Sequence, residues 1–337
     1  MELKLHNDFS FISSSEWNKL VEEGLSNVPF LRREYLSQWW QTRGGGEWPE
    51  AELVLISAHE DNKLIGIAPL FKAKHDGRQA LLFAGSIEIS DYQDLIVRAE
   101  DLPDFLKELM DFLDQPGPYR GLPLDWYNLP DSSPTRAALK SESGTRGWTY
   151  REEIYRPTPR IPLNRDFESY LAGIEKKQRH EIRRKMRRAA EYEVPVRFYI
   201  VEDTAALDSE IEAFFQLMGQ DQKKADFLTE TMRSQLSATA HLAFEQGYLW
   251  LAFLEVGETK VAAAFNFDYK NKLWGYNSGV NRDYIELSPG WVLLGHQLQW
   301  ACEHGRTEFD FMRGDEEYKY RFGAVNQYVM RETVTPK

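Results

Sequence analysis

Three stretches of this chain combine residue types and spacings that could do chemistry. In the first, "LSPGW", Ser288, Pro289 and Gly290 stand directly before an apolar-periodic run of Trp291, Leu294, Leu298 and Ala301 that ends at His304-Gly305. Serine before the run, proline at its first turn and glycine past its end bracket one helix. A helix start leaves backbone amides without partners and so suits an anion. Ser288, Gly290, Trp291 and Val292 are the candidate contacts, with the amides of 290 to 292 aimed at the ligand and Gly290 allowing close approach. The second stretch is "TEFDFMRGDEEYKYRFG". Strand alternation sets Glu308, Asp310 and Met312 on one face and Phe309 and Phe311 on the other. The polar face runs out into Arg313, Gly314 and Asp315, followed by Glu316, Tyr318 and Lys319. Polar groups converging at the end of a strand, beside a helix start, are the usual makings of an α/β site.

The third stretch, "KKQRHEIRRKMRR" at 176 to 188, has eight Lys/Arg against one Glu. Leu171, Ile174, Ile182, Met186 and Ala189 repeat at helical spacing, so this is a helix with an apolar stripe and a cationic back. Arg179, Arg183 and Arg187 share one face. A solvated surface accounts for such a run; a phosphate-receiving surface is the functional alternative, because guanidinium groups bind phosphate bidentately.

An anion-ready helix start beside a Lys/Tyr/Asp cluster suits a transfer between two positioned substrates, in which a proton is moved and little covalent machinery is required. For the general base, Asp315, Glu316 and Asp310 stay open, as does a water chain. Cys302 and His304 stand two apart and cannot converge on a metal, and no zinc spacing, Walker loop, Rossmann glycine set or nucleophile elbow occurs, so no metal is expected.

The elements that must position these residues are readable on either side. Residues 249 to 256, 260 to 269 and 272 to 279 alternate as three antiparallel strands around Gly257 and Asn271, followed by the helix and a further strand at "TEFDFM". In the first half, a strand at 3 to 6 and two helices, "SSSEWNKLVEEG" and "REYLSQWWQT", precede a hairpin in "AELVLISAHEDNKLIGIAPLFKAK". Strands near 78 to 84 and 92 to 97, a helix from Pro103 to Leu113, a strand "LPLDWYNL" and a helix after Ser133 follow. Leu53 to Phe71 echoes Leu251 to Phe267. Three prolines in "RPTPRIPL", 156 to 163, predict an extended linker.

The order strand, strand, strand, helix, strand, closed by "GDEEYKYRFG", resembles the GNAT acyltransferase superfamily, and within it the BioF-like and CelD-like acetyltransferases and the FemABX peptidyltransferases. The resemblance implies an α/β (α+β) protein of two tandem GNAT-like domains, each a mixed, mainly antiparallel sheet flanked by helices. We expect an acceptor-side domain at 1–155, a linker at 156–163 and a donor-side domain at 164–337. It further implies acyl-CoA as co-substrate, its pyrophosphate received at the helix start after the fourth strand. "YKYRFG" resembles the family's Phe/Tyr-Lys-x-x-Phe-Gly pattern, which makes Lys319 the lysine near the reacting carbonyl and Tyr318 a proton donor to the leaving thiolate, with Asp315 beside them. In FemABX proteins a basic helix like 176 to 188 meets substrate phosphates, which assigns Arg179 and Arg183. "GSIEISDYQDLIV" resembles a CelD-like segment and adds Asp91 and Tyr92 as acceptor contacts, with Asp310.

Composition sets the outer limits. At 337 residues, two domains are the default. No apolar run approaches the roughly 18 residues of a membrane span, and "MELKLHNDF" lacks a signal-like stretch, so a cytoplasmic protein is expected. The first 155 residues carry 26 acidic and 16 basic side chains, the remainder 27 and 25; such acidity argues against wrapping nucleic acid. The leading expectation is an N-acyltransferase acting on an amine of a sugar, amino acid or cell-envelope precursor. The alternatives are a FemABX-like enzyme using aminoacyl-tRNA and a catalytically silent GNAT-like binding module.

Overall fold

A computed structural model describes residues 1–163 and 166–337, which divide into two compact units: 1–157 with 328–337, and 158–327. The expected start of the second domain at 164 lies outside the described residues. The division differs from the sequence expectation in two ways. Residues 156–163 are not a free linker, because strand pairing takes up all but the last of them, and the final ten residues belong with the first unit, where they add a strand.

In the first unit, β1 (Glu2–His6), α1 (Ser14–Glu23), α2 (Arg33–Gln41), β2 (Glu52–Glu60), β3 (Lys63–His75), β4 (Arg78–Phe83) and the short β5 (Ile96–Val97) lead to α3 (Leu102–Asp114), β6 (Leu124–Pro130), α4 (Pro134–Arg146) and β7 (Thr149–Pro162). β1 to β4 pair antiparallel in order. The β2/β3 turn holds Asp61 and Asn62 at φ 48° and 62°, the primed geometry that fits strand twist. α3 buries Phe105, Leu106, Leu109 and Met110. The expected strand at 92 to 97 shrinks to Ile96–Val97 because side chains claim the segment before it. Asp94 accepts from Ser26 Oγ at 2.8 Å, Ser133 Oγ at 2.7 Å and Thr135 Oγ1 at 2.7 Å.

In the second unit, α5 (Phe167–Gly173), α6 (Lys176–Ala190), β8 (Val196–Ile200), α7 (Leu207–Met218), α8 (Gln222–Phe227) and α9 (Glu230–Glu245) precede the meander β9 (Leu249–Val256), β10 (Thr259–Tyr269) and β11 (Lys272–Val280). Then come α10 (Pro289–Glu303), β12 (Glu308–Asp310), α11 (Glu317–Arg321) and β13 (Val325–Thr335). β13 leaves this unit at Gln327, and Val329 to Val334 pair with β6. The sheet order is the end of β7, then β12, β11, β10, β9 and β8, antiparallel except for β11 and β12. Residues alternating in β9 explain the layers: Ala252 and Leu254 face the core under α5, α6 and α10, while Phe253 faces α7 and α9. α10 is apolar on nearly every side because it is covered on nearly every side, and its Gly295 admits the Met186 sulfur of α6.

A second close approach seats α7 directly on β11. A Cβ at Gly279 in β11 would meet the Met218 amide nitrogen at 2.3 Å and the Leu217 carbonyl carbon at 2.4 Å, at the end of α7. Backbone cannot yield as a side chain can. Gly279→Ala therefore forces α7 off the sheet and costs about 1 to 3 kcal/mol, the range for overpacking. The check is the urea unfolding midpoint; a midpoint equal to wild type would refute this packing.

Candidate active site

β11 and β12 pair in parallel only over Lys272–Trp274 and Glu308–Asp310. Past that point they part. β12 keeps its bond to the other neighbour, with the Phe311 amide donating to the Pro159 carbonyl at 3.0 Å, while β11 bulges at Tyr276, which has no opposite residue on β10. The opening is a cavity of about 430 Å³. Its walls are β10 and β11, the first turns of α10, the loop after β12, and α11. Inside, Asn266 Nδ2 donates to Gln297 Oε1 at 2.7 Å. Gly275 gives the Phe309 ring room against β11, since a Cβ there would sit 3.3 Å from it.

Of the residues singled out by sequence, Gly290, Trp291, Glu316, Tyr318 and Lys319 line this cavity together. Lys319 is 3% exposed. Its amine donates to the carbonyls of Phe311 (3.4 Å), Arg313 (3.2 Å) and Gly314 (3.2 Å) and pairs with Glu316 Oε2 at 2.8 Å. All three of its protons are thus engaged in holding the loop between β12 and α11. The Tyr318 ring meets Phe311 edge-on at 5.9 Å, and burial, with Glu316 adding to it, raises its phenol above the ordinary tyrosine value. It stays protonated at neutral pH. The Trp291 ring packs on Phe322 at 4.8 Å and carries Lys185 Nζ 4.1 Å from its centroid.

The helix start differs from the expected amide cradle. Ser288 adopts the left-handed conformation (φ 52°, ψ 54°) and makes no side-chain cap. Its carbonyl accepts from the Trp291 amide at 2.9 Å and the Val292 amide at 3.1 Å. Proline has no N–H, so only the Gly290 amide is left outside the helix's own bonding among the three expected. Val292 is wholly buried in the core, and neither it nor Ser288 lines the cavity.

The remaining candidates are placed elsewhere. Asp310 is fully buried, 3.0 Å from Arg160 Nε and accepting from the Met312 amide at 2.7 Å; Phe309 and Phe311, from the opposite face of the strand, line the cavity instead. Asp315 is exposed and accepts from the Tyr320 hydroxyl. Arg179 donates to the Ala172 carbonyl at 3.1 Å, closing the end of α5, and Arg183 pairs with Glu168. Asp91 and Tyr92 are buried in the first unit, in a segment anchored where Tyr35 Oη donates to the Ile89 carbonyl at 2.8 Å. A grouping of His75, Asp76 and Asp125 has metal-like spacing, but the Arg331 guanidinium already binds both carboxylates at 2.8 Å.

Sequence reasoning missed Lys224. It lines the cavity from α8, and its Nζ donates to Asn277 Oδ1 at 3.0 Å and to the Ser278 carbonyl at 2.5 Å on β11. Burial lowers its basicity, against smaller opposing effects of Asp221 and Glu316. In "QDQKKADF" nothing separates it from Lys223; only the fold over β11 does.

Residues 176–320 match the model of a family described as an acetyltransferase (GNAT) domain. Among solved structures the chain is similar to FemX, with a TM-score of 0.67 at 13% identity over 98% of this chain and 97% of that one. It is similar also to a conserved protein of unknown function from Bacteroides thetaiotaomicron (TM-score 0.63, 12% identity, 99% and 100% covered). A third is L-PGS from Bacillus licheniformis (0.57, 13%, 96% and 92%). At these identities the likeness is one of fold. No curated protein sequence matches the chain.

The loop staple is open to test. Lys319→Met strands three carbonyls and one carboxylate, and should cost about 2 to 3 kcal/mol, whereas Glu316→Gln, at a half-exposed partner, should cost under about 1 kcal/mol. Urea titrations of both variants decide it: equal midpoints would mean that the amine does not hold this loop.

Proposed function

We propose that the protein is an N-acyltransferase that moves an acyl group, acetyl in the first instance, from acyl-CoA to an amine of a sugar, amino acid or cell-envelope precursor; the match of residues 176–320 to the model of an acetyltransferase (GNAT) domain and the likeness of fold to FemX support this reading. The observation that carries this reading is the cavity opened where β11 and β12 part, beside the start of α10. A thioester needs such a slot: apolar walls for the acyl chain, strand backbone along one side, and a charged mouth. In this reading the donor belongs to the second unit, with its phosphates at Gly290 and the adjoining helix start. The protein acts in the cytoplasm, where acyl-CoA is available.

The roles follow from the contacts. Lys319, its protons committed, shapes the loop and sets positive charge behind the carbonyl, where oxyanion character develops. The Tyr318 phenol holds its proton more tightly than a thiol does, so it steadies the leaving thiolate by hydrogen bonding. One further observation favours an aminoacyl-tRNA donor instead: Lys176, Lys177, Arg187 and Arg188 project from α6 with no carboxylate paired to them among the described residues.

Melting curves with CoA, acetyl-CoA and longer acyl-CoAs separate the readings. Acyl-CoA at about 100 times its dissociation constant adds roughly 2.7 kcal/mol of stability. Gly290→Asp should abolish the shift yet keep the fold, because an acid in a helix's first turn favours the helix while repelling phosphate. No shift with any CoA species, but binding of tRNA that weakens steeply with salt, would favour the tRNA donor. Neither would leave the silent binding module. Tyr318→Phe should lower kcat about 10- to 100-fold, a loss of roughly 1.4 to 2.7 kcal/mol, with acyl-CoA binding unchanged.

A further inference from the structure

Two lysine amines line the cavity, and only one has a counter-ion. Lys319 is paired with Glu316, whereas Lys224 has no carboxylate in ion-pair contact among the described residues. The acids near Lys224 are committed elsewhere. Asp221, the cap of α8, accepts from Arg282 Nη2 at 2.9 Å and from the amides of Lys223 and Lys224 at 3.1 and 3.3 Å. Glu316, from the loop before α11, is spent on Lys319 at 2.8 Å. From β11 the amine meets only neutral oxygens, Asn277 Oδ1 and the Ser278 carbonyl.

The count of partners matters. A neutral primary amine has two protons and one lone pair; an ammonium has three protons and needs a third acceptor. Lys224 has two protein acceptors, which match the two protons of the neutral form. Partial burial acts in the same sense, since it disfavours the charged form. Of the general bases that the sequence left open, Asp310 is buried under Arg160, Asp315 is outside the cavity and Glu316 is bound to Lys319; the water chain stays open beside them.

We propose that Lys224 is the proton acceptor that converts the substrate's ammonium into the attacking amine, a role that rests on the acyltransferase reading above. One N–H bond of the ammonium breaks, its electron pair stays on the substrate nitrogen, and the proton passes to Lys224 Nζ. That nitrogen then bonds to the acyl carbon. The C–S bond breaks with its pair going to sulfur, and the surplus proton on nitrogen goes to the thiolate, giving amide and thiol. Lys224 returns its proton to water, so one proton is released per turnover. Tyr318 and Lys319 act at the sulfur and carbonyl ends and exchange no proton in this step.

Two measurements on the full chain test this. With lysine labelled at 13Cε, the resonance that disappears in Lys224→Arg is that of Lys224. It should lose its proton at lower pH than the surface lysines do. In the transfer assay, acetyl-CoA and whichever member of an amine panel is accepted should give log kcat/KM rising with pH through a step that coincides with this titration. Lys224→Arg keeps a positive charge but cannot accept a proton, so kcat/KM should fall about 10²- to 10⁴-fold, with acetyl-CoA binding retained. Titration with the bulk lysines, or an arginine variant with wild-type rate and profile, overturns the role of Lys224 while leaving the acyltransferase standing. Failure of acetyl-CoA to bind the wild-type protein overturns the acyltransferase reading itself, and the proton-transfer role falls with it, whatever the titration shows.

Discussion

β11 and β12 hydrogen bond over three residues and then part, and the second unit is arranged around keeping that gap open. Parallel strands left to themselves would go on pairing, because each unpaired backbone group buried without a partner costs free energy. Two features prevent it here. The bulge at Tyr276 turns β11 aside, and the bond from Phe311 to Pro159 keeps β12 with β7, while the rings of Phe309 and Phe311 line the opening. The loop after β12 must then be held without sheet bonds, and the Lys319 amine does this by gathering three of its neighbours' carbonyls.

What the sequence made legible was local. The meander, the β2/β3 hairpin, the basic helix and α10 have clear periods and turn residues, and their observed bounds fall within a residue or two of those expected. The turn at Lys270 and Asn271 even repeats the paired positive φ of Asp61 and Asn62. What stayed hidden depends on distant partners. Prolines at 157, 159 and 162 read as a linker, yet Arg160 to Pro162 pair with β12, where alternating backbone groups meet their partners. The final residues are expected in the donor-side domain, yet β6 of the first unit supplies the strand they pair with. Asp94 turns an expected strand into a tethered loop through hydroxyls from three other segments.

The site shows the same limit at finer grain. Alternation correctly separated Phe309 and Phe311 from Glu308 and Asp310, but a period says which residues share a face and not what that face meets. The aromatic face took the cavity and the acidic face took Arg160. Charge in α6 was overread for a related reason. Arg183, Arg184 and Lys185 are tied to Glu168 and Glu181, so the free cations are fewer than the run of letters suggests.

Lys319 and Lys224 have the same side chain and line the same cavity, and the difference between them lies in their acceptors. Lys319 meets three carbonyls and a carboxylate, which together replace the water an ammonium gives up on burial. Lys224 meets two neutral oxygens, and no carboxylate among the described residues pairs with it. A motif could point to the first lysine because its acceptors lie within eight residues along the chain. No motif could point to the second, whose partners are more than fifty residues away on the strand that forms the cavity wall. The burial that lowers the basicity of Lys224 depends on that wall being in place, which couples it to the folding of β11 and to the close packing at Gly279.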